Sequence, residues 1–519
     1  MSTQHDDEQR GGQAPRDAGG RPDEHTPRKT KGAARMTKGT SPSAGGASPP
    51  ADGGPRPRKG PAKGGAGGRV PGQGATTGAT GTTDSTGTPG APGTTGSTGA
   101  GAEDGGRAPL TRRRLLGTAS AAGAAGLVVG GAGGAAGYAA TREEPPAALS
   151  SLGSSSVPFH GTHQAGITTP AQAHGHLLAF DLAPGAGRKQ AAALLRRWSE
   201  AARRMMAGEP PHDGDSDTGI ALDAGPASLT VTFGFGRSFF SRTGLTDRLP
   251  AELEPLPHFS ADALDAKRSD GDLWIQIGAD DALVAFHALR ALQREAGGSG
   301  GPARLRWQMN GFNRSPGATA HPMTVRNLMG QVDGTNNPKP DEKDFAKKVF
   351  VPSSGSPSWM AGGSYVVLRR IRMLLDDWDG RSLAEQEKVI GRRKADGAPL
   401  SGGDEHTSPD LDKRGEDGLP VIAADAHVRV TAPETNGGAA MLRRPFSYHD
   451  GFRDDGAPDA GLLFLAWQAD PLRGFVPVQR KLDRGDALSR FLRHEASALF
   501  AVPGGPGKGE YVGERLLES

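Results

Sequence analysis

Apolar residues are spread very unevenly along this chain. Residues 1–107 contain no Leu, Ile, Phe, Trp or Tyr, and Val70 is their one branched aliphatic. Such a segment has nothing to bury against the ~1–2 kcal/mol per residue of backbone ordering entropy, so it is expected to be a disordered leader. Thr111-Arg112-Arg113-Arg114-Leu115-Leu116 then opens an Ala/Gly/Val run with no charge until Arg142. A cationic stretch before a modest apolar one describes an export signal over 108–140, and paired Arg directly before Leu-Leu suggests the twin-arginine route. A retained membrane span over 115–140 competes with this reading, although Gly and Ala make insertion only weakly favourable. About 110 residues precede the paired Arg; an internal start such as Met36 would shorten that leader.

Beyond the signal the periodicity alternates between two and 3.6. Strands are expected at 176–182, 227–235, 272–277 and 303–308, with amphipathic helices at 188–206 and 281–295. A second set follows: strands at 364–372 and 461–467, with helices at 383–390 and 486–499. Two successive sets of this kind argue for a duplicated α+β architecture rather than an alternating parallel sheet, with halves at 141–345 and 346–519. After the helix expected to end near 390 comes 391–419, polar and rich in Gly, Asp and Lys, a binding segment or a disordered insertion.

Charge follows the same division. Residues 1–140 carry 17 Lys and Arg against 10 Asp and Glu, net +7, whereas the remainder carries 44 against 48, net −4. The overall +3 therefore gives the folded part no polyanion-binding character, and a nucleic-acid partner is disfavoured. Absence of Cys excludes disulfides, thiolate metal sites and cysteine nucleophiles. Much of the excess Gly and Pro, 80 and 41 residues, belongs to the leader and signal.

Several segments could carry chemistry. In Met329-Gly330-Gln331-Val332-Asp333-Gly334-Thr335-Asn336-Asn337-Pro338 the Asp-Gly and Asn-Pro pairs are ordinary turn dipeptides. The doubled Gly around one carboxylate also suits close approach of backbone to a flat ligand, with Asp333 presented over it. Asp425-Ala426-His427-Val428-Arg429-Val430 reads as a β-type stretch with His427 at its centre, either a hydrogen-bonded core histidine or a ligand. The pairs His160/His163 and His174/His176 lack a third ligand at helical spacing and make no zinc site. Arg443-Arg444-Pro445 sets two guanidiniums beside apolar residues, and Asp470 ends the apolar run 461–467, where it could simply cap the following turn.

Taken together and in this order, these segments resemble the dye-decolorising peroxidases. The likeness is greatest to the exported branch containing the iron-uptake deferrochelatases. Further matching stretches are Pro158-Phe159-His160-Gly161-Thr162-His163, Arg369-Arg370-Ile371-Arg372-Met373 and Trp378-Asp379. The resemblance implies two duplicated ferredoxin-like halves, antiparallel sheets with peripheral helices, enclosing haem b. It assigns His427 as the proximal iron ligand, Asp333 as the distal acid and base, and Arg443, in preference to Arg444, as the distal arginine. Asp470 would be the carboxylate behind the proximal histidine, and Gly330, Gly334, Thr335, Asn336 and Arg444 would line the cofactor.

The implied activity is reduction of hydrogen peroxide with oxidation of bulky organic donors. Electrons would leave through surface-near aromatics, with Trp359, Trp378, Trp467 and Tyr448 as candidates. Release of iron from haem with the porphyrin left intact is the alternative, beside a permease and a lipoprotein partner in iron uptake. A haem carrier without turnover is a reading of another class, one that needs neither Asp333 nor Arg443. The twin-arginine machinery, an extracellular, periplasmic or cell-envelope location and a homodimer complete the expectation; that machinery exports folded cargo, in keeping with a cofactor inserted beforehand.

Overall fold

The computed structural model describes residues 152–214, 217–297, 300–318 and 324–519. The expected leader and signal, 1–107 and 108–140, lie outside the described residues.

In the first half the expected elements form where their periodicity placed them. Strand β1 (His174–Leu182) leads into α1 (Arg188–Met206), whose Leu194, Leu195, Trp198, Ala201, Ala202 and Met205 recur at helical spacing and are buried. Strands β2 (Thr230–Gly236) and β3 (Leu273–Ala279) follow, then α2 (Ala282–Glu295) and β4 (Ala303–Phe312). Helix α2 starts where it does because the Asp281 carboxylate accepts from the backbone N–H of Leu283 at 2.8 Å and Val284 at 2.9 Å. The spatial order of these strands is β2-β3-β1-β4, all antiparallel.

The second half repeats the plan. Strand β5 (Ser364–Met373) precedes α3 (Leu383–Ile390) and α4 (His427–Val430). A two-residue strand β6 (Leu442–Arg443), then β7 (Phe446–Phe452), β8 (Pro458–Gln468), α5 (Phe475–Gly485) and β9 (Leu492–Val502) complete it. Here the order is β9-β5-β8-β7, the order of the first half with each strand replaced by its counterpart. Each half is thus a β-α-β-β-α-β unit with ferredoxin-like connectivity.

Two short seams join the halves. Phe235 and Gly236 of β2 pair with Ala501 and Phe500 of β9, and Phe312 of β4 pairs with Ser447 of β7. Because β5 also pairs with β8, the sheet closes on itself. Trp274, Trp467 and Phe500 fill the space within, Trp274 stacking on Phe500 at 5.5 Å between ring centroids. A closed sheet leaves no long unpaired edge.

Two expectations fail in the second half. Residues 486–499 do not form one helix: a 3-10 turn, Ala487–Phe491, runs into β9. Leu488, Phe491, Leu492 and Leu499 fall at helix-like intervals, but the seam with β2 and the long pairing with β5 draw the segment into the sheet. Nor is 425–430 a strand, since His427 opens the one-turn helix α4. Segment 391–419, by contrast, is ordered, folded back by the bridge between Arg414 and Pro420.

Along β5 successive side chains face opposite ways. Val366 and Leu368 join the interior of the closed sheet, whereas Ile371 and Met373 pack with Trp378 outside it. Arg370, fully buried, reaches Asp450 at 2.9 Å, Asp459 at 2.8 Å and Glu495, with its guanidinium 3.9 Å from the Tyr448 ring centroid. It neutralises three acids contributed by β7, β8 and β9. Replacing Arg370→Leu should therefore lower unfolding free energy by about 3 kcal/mol, read from urea titration, because the acids lose their common counter-charge.

Candidate functional site

A cavity lies against the outer face of the second half's sheet. Ile371 and Met373 of β5, Leu462 and Phe464 of β8 and Leu492 of β9 supply an apolar wall. Asp333, His427 and Arg443 all line this cavity, although 110 residues of sequence separate the first from the last.

His427 is set by its short helix. Gly391, which ends α3 at φ +92°, lets that helix pack closely on α4: a Cβ there would stand 2.3 Å from Val428 Cγ1. His427 Nδ1 lies 3.2 Å from Asp486 Oδ2. Asp486 is held in turn, Oδ1 accepting from Leu488 N–H and Oδ2 from Ser489 Oγ, each at 3.2 Å. Burial by itself would lower the imidazole's proton affinity. The Asp486 carboxylate outweighs this and raises His427 above its usual range. With Nδ1 engaged, Nε2 is the nitrogen left for a ligand in the cavity, and a carboxylate behind it fixes the tautomer and raises basicity.

The acid and the arginine form a pair. Arg443 Nη1 donates to Asp333 Oδ1 at 3.0 Å, and Asn327 Nδ2 to Asp333 Oδ2 at 3.3 Å. The Asn337 side chain clamps the Arg443 backbone from both sides, donating to its carbonyl at 2.7 Å and accepting from its N–H at 3.1 Å. The turn carrying Asp333 closes through Asp333 N–H to Val325 O at 2.9 Å, while Trp378 Nε1 holds Met329 O at 3.0 Å.

Gly334, Thr335 and Asn336 line the cavity. Three other assignments need correction. Asp470 is not behind His427: its Oδ1 accepts from Leu472 N–H at 2.8 Å and its Oδ2 pairs with Arg473, so it caps the turn after β8 while Asp486 takes the place beside His427. Arg444 does not line the cofactor cavity. As the neighbour of Arg443 in an extended segment it points the other way, donating to Gly166 O, Pro170 O and Gln172 Oε1. Gly330 turns its open side to Lys394, not to the cavity; a Cβ there would stand 2.6 Å from Lys394 Cε.

The aromatic candidates for electron exit are not surface-near either. Trp359, Trp378, Trp467 and Tyr448 are all buried in the core. The paired histidines stay structural: His163 Nδ1 meets Gly362 O at 2.6 Å and His176 Nδ1 meets Asn310 Oδ1 at 2.8 Å. Among the described residues no cluster of three acidic or histidine side chains could hold a bare metal ion.

Sequence reading missed Asp486, Asn327 and His494, and quoted Asn337 and Arg369 without giving them a place in the site. Asp486 did carry a signal, an acidic residue directly before an apolar run. Arg369 and His494 enter the cavity wall from β5 and β9, both buried, and Arg369 is paired with Asp262.

Most of the described chain is similar to known proteins. Residues 164–313 match the family model described as Dyp-type peroxidase, N-terminal, and residues 324–506 the one described as Dyp-type peroxidase, C-terminal. A dye-decolorizing peroxidase from Thermobifida fusca is 46% identical over 368 residues, spanning 68% of this chain and 84% of that protein. A deferrochelatase from Escherichia coli K12 is 35% identical over 378 residues, spanning 69% and 87%. Among solved structures, ferric DtpA from Streptomyces lividans is 70% identical with a TM-score of 0.70, covering 72% of this chain and all of that one.

His494 supplies a pH test of the wall. Burial, with the nearby Arg369 charge, pushes its imidazole down to about 3. The unfolded chain takes up this proton near pH ~6.5, so the unfolded state binds more protons between the two values and stability falls as pH drops through that window. His494→Leu should flatten this acid-side slope in unfolding measured from pH 7 to 4.

Proposed function

The chain belongs to the Dyp-type peroxidases and is a haem peroxidase, and from that premise we propose how its own residues do the work. The donor set of the cavity fits haem b: an imidazole with Nδ1 engaged by Asp486, apolar walls, and an acid–arginine pair in the same space. When bound, haem would supply an iron for peroxide activation and the redox capacity to pass oxidising equivalents to donors.

Around it, His427 offers Nε2 as the proximal ligand, and Asp486, engaged at Nδ1, fixes the tautomer that presents Nε2 and makes that nitrogen more basic. Asp333 accepts the proton from the nearer oxygen of hydrogen peroxide and returns it to the farther one, so that the departing group leaves as water. Arg443 offsets the negative charge that builds on that oxygen. Asn337 holds the Arg443 backbone and Asn327 the far side of Asp333, so neither group has to reorganise during the step.

The observation that carries this reading is the 3.0 Å Asp333–Arg443 pair in the cavity that also holds the His427–Asp486 pair. A haem carrier has no use for the first pair. The deferrochelatase alternative is supported by a relative at 35% identity, whereas peroxidase is the name of the relative at 46%.

The proposal includes export by the twin-arginine route, supported by Arg113-Arg114-Leu115-Leu116 and the uncharged run behind it. It also includes bulky organic donors and a homodimer, the latter read by light scattering of the purified chain.

Asp333→Asn should slow the reaction of the haem-loaded chain with peroxide by about 100-fold in stopped-flow measurements. Wild-type rates in that variant would remove Asp333 from its role. His427→Ala should lose the Soret band or shift it to that of a differently ligated haem. Arg113→Lys with Arg114→Lys should leave the protein inside the cell, as followed by fractionation.

A further inference from the structure

The segment 391–419 has so far entered the site only through Gly391. Its ordered fold, however, brings one carboxylate against the turn that presents Asp333. Glu405 Oε1 accepts from Thr335 Oγ1 at 2.9 Å and also from Thr324 Oγ1. Thr335 stands two residues after Asp333, and Thr324 directly precedes Val325, whose carbonyl takes the Asp333 N–H at 2.9 Å. A single carboxylate oxygen therefore ties both arms of the distal turn.

The loop that holds Glu405 is itself fixed to the cavity. Its carbonyl accepts from Arg392 Nη1 at 2.8 Å, and the same nitrogen donates to Gly397 O at 2.7 Å. Arg392 lines the cavity directly after α3. The loop and the turn touch at Gly397, where a Cβ would stand 3.1 Å from Val332 Cγ2 and 3.2 Å from Glu405 Cγ. A second tie runs the opposite way: Arg326, in the first arm of the turn, donates to Lys394 O and Ala395 O.

The turn needs such ties. Gly330 and Gly334 on either side of Asp333 have φ of +77° and +127°, conformations that leave the backbone between them poorly restrained by its own sterics. The direct side-chain partners of Asp333 are Arg443 and the more distant Asn327. A hydrogen bond to an ionised acceptor is roughly twice as strong as a neutral one, so two hydroxyls on one carboxylate oxygen make a firm clamp.

We propose that Glu405 is a positioning residue for the distal acid: by holding Thr324 and Thr335 it fixes where Asp333 sits over the cofactor. It does not touch peroxide or haem, and it acts through the turn. The inference rests on the peroxidase reading of Asp333, and the experiment separates the two.

Full-length haem-loaded wild type, Glu405→Ala, Glu405→Gln and Thr335→Val are compared for the peroxide rate constant, the KM for a dye donor, and fluoride affinity of the ferric protein, which reports distal hydrogen bonding without turnover. Glu405→Ala is expected to lower the peroxide rate constant roughly tenfold and weaken fluoride binding severalfold, with donor KM unchanged, since small misplacements of a reacting group are costly. Glu405→Gln is expected to recover most of both, because its carbonyl oxygen still accepts from the two hydroxyls. Thr335→Val removes one arm and should fall between; it also serves if Glu405→Ala does not fold.

Wild-type peroxide rate and fluoride affinity in Glu405→Ala, or in Thr335→Val where the former does not fold, would overturn the inference. So would a Glu405→Gln variant as impaired as the alanine one. Failure of wild type itself to react with peroxide would instead sink the peroxidase reading, while the fluoride series would still report on the clamp.

Discussion

Closure of the sheet is the constraint on which the rest of this structure depends. Each ferredoxin-like half offers an antiparallel sheet with two edges, and the seams β2–β9 and β4–β7 join those edges pairwise. The seams are short, but they lie between long, fully paired ladders and are backed by the Trp274–Phe500 stack. One face of every strand is thereby committed to the interior. The outer face of the second half's sheet is left free to form a cavity wall, and Arg369, Ile371 and Met373 of β5 face it because Val366, Leu368 and Arg370 face inward.

Function is divided between two kinds of support. The proximal side draws on two segments: a one-turn helix carries His427, and Asp486, which begins the turn into β9, stands behind it. Ala487 N–H to Asp425 O at 2.9 Å joins these two segments directly. The distal side is assembled from distant chain segments. Asp333 comes from a turn between the halves, Arg443 from a two-residue strand, and the ties that fix them come from Asn337, Trp378, Arg326 and Glu405. A turn rich in Gly can approach the cavity closely, but its precision must then be supplied from outside.

How far the sequence could be read follows from these supports. Helix α1 and strand β1 were legible because Leu194, Trp198 and Ala201, or the apolar run 177–180, announce their period without help from the rest of the chain. Segment 486–499 was not, since its apolar spacing fits a helix as well as a strand with a preceding turn. Likewise a one-turn helix at His427 is too short to show a period, and its Val-Arg-Val alternation mimics a strand.

The sequence by itself pointed to the duplicated α+β plan and the family and singled out Asp333, His427 and the Arg443-Arg444 pair, because these rest on local periodicity and on motifs whose residues lie close together. Tertiary structure alone decided which carboxylate stands behind His427, which of two adjacent arginines enters the cavity, and what holds the distal turn. Asp470 and Asp486 are both acidic residues before turns, and Arg443 and Arg444 differ by one position of an extended chain. In each case the choice is one of direction, and direction is fixed by pairing with segments dozens to hundreds of residues away: Asp486 by α4, Arg444 by Gly166 and Pro170, and Glu405 by Thr324 and Thr335.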